Sequence, residues 1–428
     1  MGQLEGIDRL RQERVDHRFK GLPPDADGLT VGELAAQRRT LFDGGFTTPL
    51  LTLSEPALEH NLAQLAAWAG RHDCAFAPHG KTSMAPQLFA RQLEHGAWGI
   101  TAATLHQVRV YRAFGVRRVF LANELVDAAA LRWVARELAA DPEFRFVCYA
   151  DSVRGVELME AALAGDPDTA VDTVADTVVD VVVELGARTG RAGVRGPAEA
   201  ARVADAVASA RHLRLVGVAG YEAVAPDPRG WLAELVALAR DFDAAGRFAG
   251  AGEIMVSAGG SEWFDAVAEA FGALGDLSLP VLRLLRSGAY VTHDDVHYRE
   301  RTPFRERIPA QGSLEPALRL WARVLSRPEP GLALLDAGKR DASFDLGLPV
   351  PQVVRRADGT AAPAAGLTVT RLADQHAFVD VSPGAADLAV GDWVALGVSH
   401  PCTVFDRWQL IPVVGEGEVV TDFVRTFF

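Results

Sequence analysis

Between Cys74 and Ser287, short β-rich runs alternate with longer amphipathic ones, and this alternation constrains the fold more than any other property of the chain. Strands are predicted near 74–77, 97–101, 118–122, 145–150, 178–186, 213–219, 253–257 and 281–286. Helices are predicted between them, near 84–95, 104–114, 126–140, 152–164, 197–210, 229–246 and 261–273. Their apolar residues recur every three or four positions, as at Leu232, Leu235, Val236, Leu238 and Ala239. Strand then helix, repeated to eight strands, is the pattern of a (β/α)8 barrel; an open doubly wound sheet is the alternative, and the count of eight favours the barrel.

Ahead of this region, Pro49–Leu53 reads as a strand and Pro56–Ala69 as a helix leading into the barrel. After Thr292 the helical period gives way to alternation. Tyr298–Gly312 is charged and loop-like, and strands are predicted at Leu332–Asp336, Leu367–Leu372, Ala377–Val381, Asp392–Leu396 and Gln409–Val413. The expected organisation is an N-terminal helical or extended segment over 1–45, a barrel over 46–297 and a mostly β domain over 298–428. The repetitive acidic stretch 166–180 reads as a solvated loop before a strand.

A chain of 428 residues with 49% hydrophobic and 23% charged residues suits a globular enzyme of one large and one smaller domain. The net charge of −13 argues against nucleic acid or an anionic membrane as partner. Cys74, Cys148 and Cys402 are odd in number and far apart, which fits a reducing cytoplasm better than a disulfide framework. With no apolar leader and no long uncharged apolar run, the expectation is a soluble cytoplasmic protein.

Ala77–Gln87 reads A-P-H-G-K-T-S-M-A-P-Q and places Lys81 just past the first barrel strand, on the face where side chains meet ligand. An amine there can form an imine with an aldehyde cofactor; the bland alternative is a solvated surface charge. Lys339, in D-A-G-K-R, is a rival that suits a turn. His79, two residues earlier, falls on the same face and reads equally as a packing histidine. Ser257-Ala258-Gly259-Gly260-Ser261 lies between the seventh strand and a helix, where backbone amides can hold a phosphate, and Tyr290 of R-S-G-A-Y follows the eighth. Arg188 of E-L-G-A-R-T-G can face a cofactor ring nitrogen or pair with Glu184. Tyr221 of A-G-Y-E-A can flank a cofactor ring or be an ordinary buried tyrosine. His400-Pro401-Cys402, if extended, puts an imidazole and a thiolate on one side, roughly 6.5–7 Å apart along the chain. Such a pair suits two ligands of a borderline-soft divalent metal such as zinc, with open positions for substrate and water.

Taken together, P-H-G-K-T, L-A-N-E at 121–124, G-A-R-T-G, S-A-G-G-S, R-S-G-A-Y and H-P-C resemble the D-serine dehydratase and D-threonine aldolase family of pyridoxal-phosphate enzymes with the alanine racemase fold. The resemblance covers roughly 45–428. It implies that Lys81 holds the pyridoxal phosphate and acts as base, that Arg188 approaches the pyridine nitrogen, that Gly259 and Gly260 bind the phosphate, and that His400 and Cys402 bind the metal. It further implies a small D-amino acid substrate and a homodimer with its site at the subunit interface. Cysteine as second metal ligand resembles the dehydratases, whereas aldolases of the family more often carry aspartate there. The expected reaction is therefore metal-assisted elimination from a D-3-hydroxy amino acid such as D-serine or D-threonine, giving a 2-oxo acid and ammonia. Retro-aldol cleavage is the alternative, ahead of a racemase or a non-catalytic cofactor-binding protein. The chain departs from the family's pattern at Ala77, Ser83, Gln375-His376-Ala377 and Val398-Ser399, and His376 is expected near the metal.

Overall fold

The computed structural model describes Leu4, residues 6–164 and residues 177–428; most of the acidic stretch 166–180 lies outside the described residues. The chain divides into two compact units. One comprises Ala66–Lys81 and Gln92–Gly288; the other comprises the described residues up to Leu65, with Thr82–Arg91 and Ala289–Phe428.

The first strand, β1 (Leu50–Ser54), belongs to the second unit, and the next eight to the first. Strands β2 (Ala75–Phe76), β3 (Ile100–Ala102), β4 (Arg118–Glu124), β5 (Arg145–Ala150), β6 (Val179–Leu185), β7 (Leu213–Gly220), β8 (Ile254–Ala258) and β9 (Val281–Leu285) form one parallel sheet in the order β2-β9-β8-β7-β6-β5-β4-β3. Its two ends meet. His79 and Thr101 form a parallel bridge, the amide of Trp98 donates to the Phe76 carbonyl at 2.7 Å, and that of Thr101 to Pro78 at 2.9 Å. The sheet closes into the barrel that the eightfold alternation predicts. Phe120, Val147, Tyr149, Val182, Val216, Met255 and Leu284 fill its interior. Helices cross between the strands, and the sequence marks where several begin: Thr104, Asp127 and Asp227 each accept a hydrogen bond from a backbone amide three residues on. Each such cap is worth about 1 kcal/mol.

The second unit contains β1 and β10 (Leu318–Glu329), β11 (Leu332–Leu335), β12 (Val350–Arg355), β13 (Ala361–Pro363), β14 (Leu367–Leu372), β15 (Ala377–Val381), β16 (Trp393–Gly397), β17 (Leu410–Val414) and β18 (Val420–Arg425). The path is β13-β12-β16-β10-β1-β17-β18, and β11, β15 and β14 continue from β10. Strand β1, which its sequence suggests should lead into the barrel, pairs here with β10 and β17. Leu50, Leu51, Thr52 and Leu53 are all buried, the unbroken pattern of a strand with neighbours on both edges and cover on both faces. Strands β10, β12, β13 and β18 are additions to the sequence-based expectation. Residues 7–46 contribute the short helices Ile7–Arg11 and Val31–Ala36 and an apolar cluster that joins Val15, Phe19, Leu34 and Phe46 to Leu410 and Phe423. Among the described residues no helix is long and apolar enough to cross a membrane.

Candidate active site

Lys81 sits in a single turn, Gly80–Thr82, just past the bridge that closes the barrel. The backbone is pinned on both sides at His79, whose amide donates to the Arg286 carbonyl at 3.3 Å while its bridge reaches Thr101. The His79 imidazole is held well below its ordinary pKa, first by burial and then by the charges of Lys81, Arg286 and Arg191. It is therefore neutral, and its buried Nδ1 has no hydrogen-bond partner among the described residues. Three cations and an orphaned ring nitrogen thus converge at the C-terminal end of the barrel.

Two of those cations were hidden in the sequence. Arg188, the expected ring-nitrogen partner, and Arg191 are both exposed to solvent, but it is Arg191 that lies over the Tyr221 ring, 5.2 Å from its centroid. Backbone geometry is the reason. After β6 the chain makes a short excursion and returns, with Gly186 donating to Val194 and Val194 to Glu184, both at 2.9 Å. Gly193 permits the closure: its φ is +94°, and a Cβ there would lie 2.5 Å from the Gly186 nitrogen. Arg188 occupies the outward limb and Arg191 the returning one. Arg286 is almost fully buried and donates to Ser257 Oγ and to the Gly220 carbonyl, both at 2.5 Å, with its plane 5.4 Å from the Phe120 ring centroid. Its Nε is also orphaned.

Across the same end of the barrel stand Glu124, Asp151 and Glu184, whose carboxylate oxygens come within 4.8 Å of one another. Register puts them there. Glu124 opposes Tyr149 after a bulge in β4, and Ala150 opposes Val183, so Asp151 and Glu184 follow as the next pair. Glu184 faces Glu124 instead of the ion pair with Arg188 that sequence spacing allowed. Burial first, and then the charge of Glu124, push the Glu184 carboxyl upward to about 8. The pair shares a proton near neutrality. A folded-state pKa above the unfolded value of 4.5 means that stability is present at low pH and lost as pH rises towards 8. The cofactor-free protein should accordingly melt several degrees lower at pH 8.5 than at pH 5.5 (up to about 1.4 kcal/mol per pH unit per proton). Glu184→Gln should flatten that slope; parallel slopes for the two proteins would remove the shared proton.

The glycine loop after β8 is already engaged. Gly259 and Gly260 donate their amides to Glu222 Oε2 and Oε1, each at 2.9 Å, and Glu222 is fully buried. The Ser257 hydroxyl donates to the Leu284 carbonyl at 2.9 Å while accepting from Arg286. So Ser257, Gly259 and Gly260 shape the loop, and their donors, expected on a phosphate, are turned inward. Tyr221 is buried with its hydroxyl pKa raised to about 12, mainly by that burial.

In the second unit, His400 and Cys402 come together through a turn and not along an extended segment. His400 has φ +34°, and Cys402 opens the short helix Cys402–Phe405. His400 Nδ1 meets Asp345 Oδ2 at 2.5 Å, and Thr403 Oγ1 donates to Asp345 Oδ1 at 3.0 Å. The Cys402 side chain, then Asp345, raise the His400 pKa to about 9. The Cys402 thiol donates to Thr82 Oγ1 at 3.4 Å. A carboxylate behind an imidazole fixes its tautomer and raises its basicity as a ligand, and Asp345 stands in that position behind His400. On binding a metal the pair would release its proton to solvent. Tyr290 is fully buried in a turn, Ala289–Val291. Lys339 is exposed in a turn, as its context suggests, with its amide on the Ala373 carbonyl. His376 is exposed in the turn before β15.

The first unit fits pyridoxal phosphate on its donor set: an amine at a strand end, two guanidinium groups for an anionic aromatic ring, a neutral imidazole with an unspent nitrogen, and a buried tyrosine ring.

The chain is similar to known proteins over both units. A family model described as "Alanine racemase, N-terminal domain" matches residues 53–298, and one described as "Putative serine dehydratase domain" matches 317–414. The D-threonine aldolase of Arthrobacter sp. is 27% identical over 383 residues, covering 87% of this chain and 90% of that protein. The crystal structure of D-threonine aldolase from Filomicrobium marinum superposes with a TM-score of 0.70 at 26% identity, covering 89% of this chain and 95% of the other. The D-threo-3-hydroxyaspartate dehydratase from Delftia sp. HT23 shares the fold, with a TM-score of 0.66 at 19% identity over 91% of this chain and 99% of the other. With the barrel match spanning more than half of its length, the chain belongs to the alanine racemase N-terminal domain family.

Proposed function

We propose that this protein is a pyridoxal-phosphate-dependent lyase that eliminates water from a D-3-hydroxy amino acid, releasing a 2-oxo acid and ammonia. The observation that carries the reading is the His400–Cys402 pair with Asp345 behind it, an imidazole and a cysteine sulfur that would suit a zinc ion. Variants of the solved D-threo-3-hydroxyaspartate dehydratase alter a histidine and a cysteine two positions apart, one of them in a metal-free form. The same spacing separates His400 from Cys402.

Lys81 would hold the cofactor's aldehyde and, once displaced by the substrate amine, take the α-proton. Bound there, pyridoxal phosphate would supply an electron sink for the charge left at the α-carbon. Arg191, over Tyr221, takes the place in the reaction that the motif suggested for Arg188, and with Arg286 it offsets negative charge on the ring system. His79, neutral and buried, can exchange a hydrogen bond without adding charge. A metal on His400 and Cys402 would supply Lewis acidity for departure of the β-hydroxyl.

Retro-aldol cleavage is the second reading, favoured by aldolases among the relatives: D-threonine aldolases at 26–27% identity and 3-hydroxy-D-aspartate aldolases of Paracoccus denitrificans at 25–26%. Product analysis separates the two. Incubated with D-threonine and with D-threo-3-hydroxyaspartate, the zinc-loaded protein should release 2-oxo acid and ammonia in equal amounts. Glycine and an aldehyde as the main products would replace the dehydratase reading with the aldolase one.

A further inference from the structure

Glu222 is a fully buried carboxylate with no place in the chemistry above, and it holds the two amides that a glycine-rich loop would ordinarily offer to a phosphate. We propose that Glu222 is a positioning residue for the cofactor phosphate, an internal anion that locks the Gly259–Gly260 loop so that the start of the following helix receives the phosphate. The inference rests on pyridoxal phosphate as the cofactor and deepens that reading.

The loop's backbone is almost wholly committed. Glu222 takes both glycine amides at 2.9 Å, the Gly259 carbonyl accepts from the Arg286 amide at 3.3 Å, and the Gly260 carbonyl accepts from Ser287 Oγ at 2.9 Å. Two amides on two oxygens of one carboxylate fix orientation as well as distance. The Gly260 α-carbon is pressed against Tyr221, where a Cβ would lie 2.8 Å from the ring's Cε2. Tyr221 and Glu222 are neighbours in sequence, so one short segment after β7 seats the loop with an aromatic face and a carboxylate together. The chain then passes through Ser261 to the helix Phe264–Gly272, whose N-cap residue, Trp263, supplies no side-chain cap. Amides at a helix start favour an anion, and a fixed loop leading into them holds them in place for it.

Glutamine at 222 keeps the size but turns an NH2 group towards one of the two amides, leaving a buried donor opposed by a donor. The test titrates cofactor-free protein with pyridoxal phosphate and, separately, with pyridoxal, which lacks the phosphate, following the visible absorption that each gives on reaching Lys81. The native protein should prefer the phosphorylated form. Glu222→Gln should lose about ten- to a hundredfold in affinity for pyridoxal phosphate and little for pyridoxal. A general structural defect would weaken both alike, and that result would overturn the role. A gain in affinity for the phosphate form would also overturn it, because Glu222 would then be blocking the phosphate site. Should Glu222→Gln not fold, Glu222→Asp, which withdraws the carboxylate by one methylene, decides by the same ratio. A native protein that does not prefer the phosphorylated form would overturn the cofactor reading itself, and that outcome is visible before any variant is made.

Discussion

Lys81→Ala should abolish the visible absorption that pyridoxal phosphate gives on covalent attachment and lower turnover by at least about three to four orders of magnitude. Two losses coincide in that single substitution, the anchoring amine and the base that takes the α-proton. Lys81→Arg distinguishes them from a mere loss of charge. Arginine preserves a cation beside His79, and so preserves one of the charges that keep the imidazole neutral, but it cannot form the covalent link. If Lys81→Arg retains the absorption, another amine carries the cofactor, and Lys81 leaves the mechanism. A small primary amine added to Lys81→Ala should restore part of the α-proton transfer, read as solvent deuterium entering the substrate, without restoring the attachment.

The second large effect belongs to the thiolate. Cys402→Ala should keep the bound cofactor and its spectrum yet lose about two to four orders of magnitude in turnover, the several kcal/mol that a Lewis acid supplies to a departing hydroxide. A chelator applied to the native protein should reproduce the loss, and zinc should reverse it in the native protein alone. Cys402→Asp is the more telling change, because a carboxylate is a harder ligand and should move the preferred ion from zinc towards manganese. Activity that is indifferent to chelator and to Cys402→Ala would detach His400 and Cys402 from the reaction.

What could be read from the sequence was largely what depends on local period. All eight barrel strands fall where alternation predicts them, and Lys81 sits where a strand-end residue must. What could not be read depends on partners distant in sequence. Nothing in Leu50–Ser54 says that its neighbours are β10 and β17. That Arg191 and not Arg188 lies over Tyr221 depends on a loop that doubles back, for which the signal was present but unranked: a second arginine followed at two residues by Gly193 and then Val194. Gly259 and Gly260 were recognisable as a loop able to take an anion, and the anion they take is the chain's own Glu222. The Glu124–Asp151–Glu184 group needed strand register, since the acids lie at or just past the ends of three different strands. Asp345 lies 55 residues from His400, beyond any local pattern.

The pairing of β1 with β17 has a bearing on how the protein is made. Leu53 is joined to Val413, and Val15 and Phe19 share a core with Leu410 and Phe423, so these early segments wait for segments made much later before their sheet and core can form. The barrel strands lie between and are synthesised together, in an order that lets each pair with a recent neighbour save for β2 and β9. Until those later segments are made, Val15, Phe19 and Leu50 lack the apolar surface that covers them in the folded chain, the condition in which nascent chains aggregate or engage chaperones. The early strand β1 and the cluster around Val15 and Phe19 thus depend for their cover on β17 and β18.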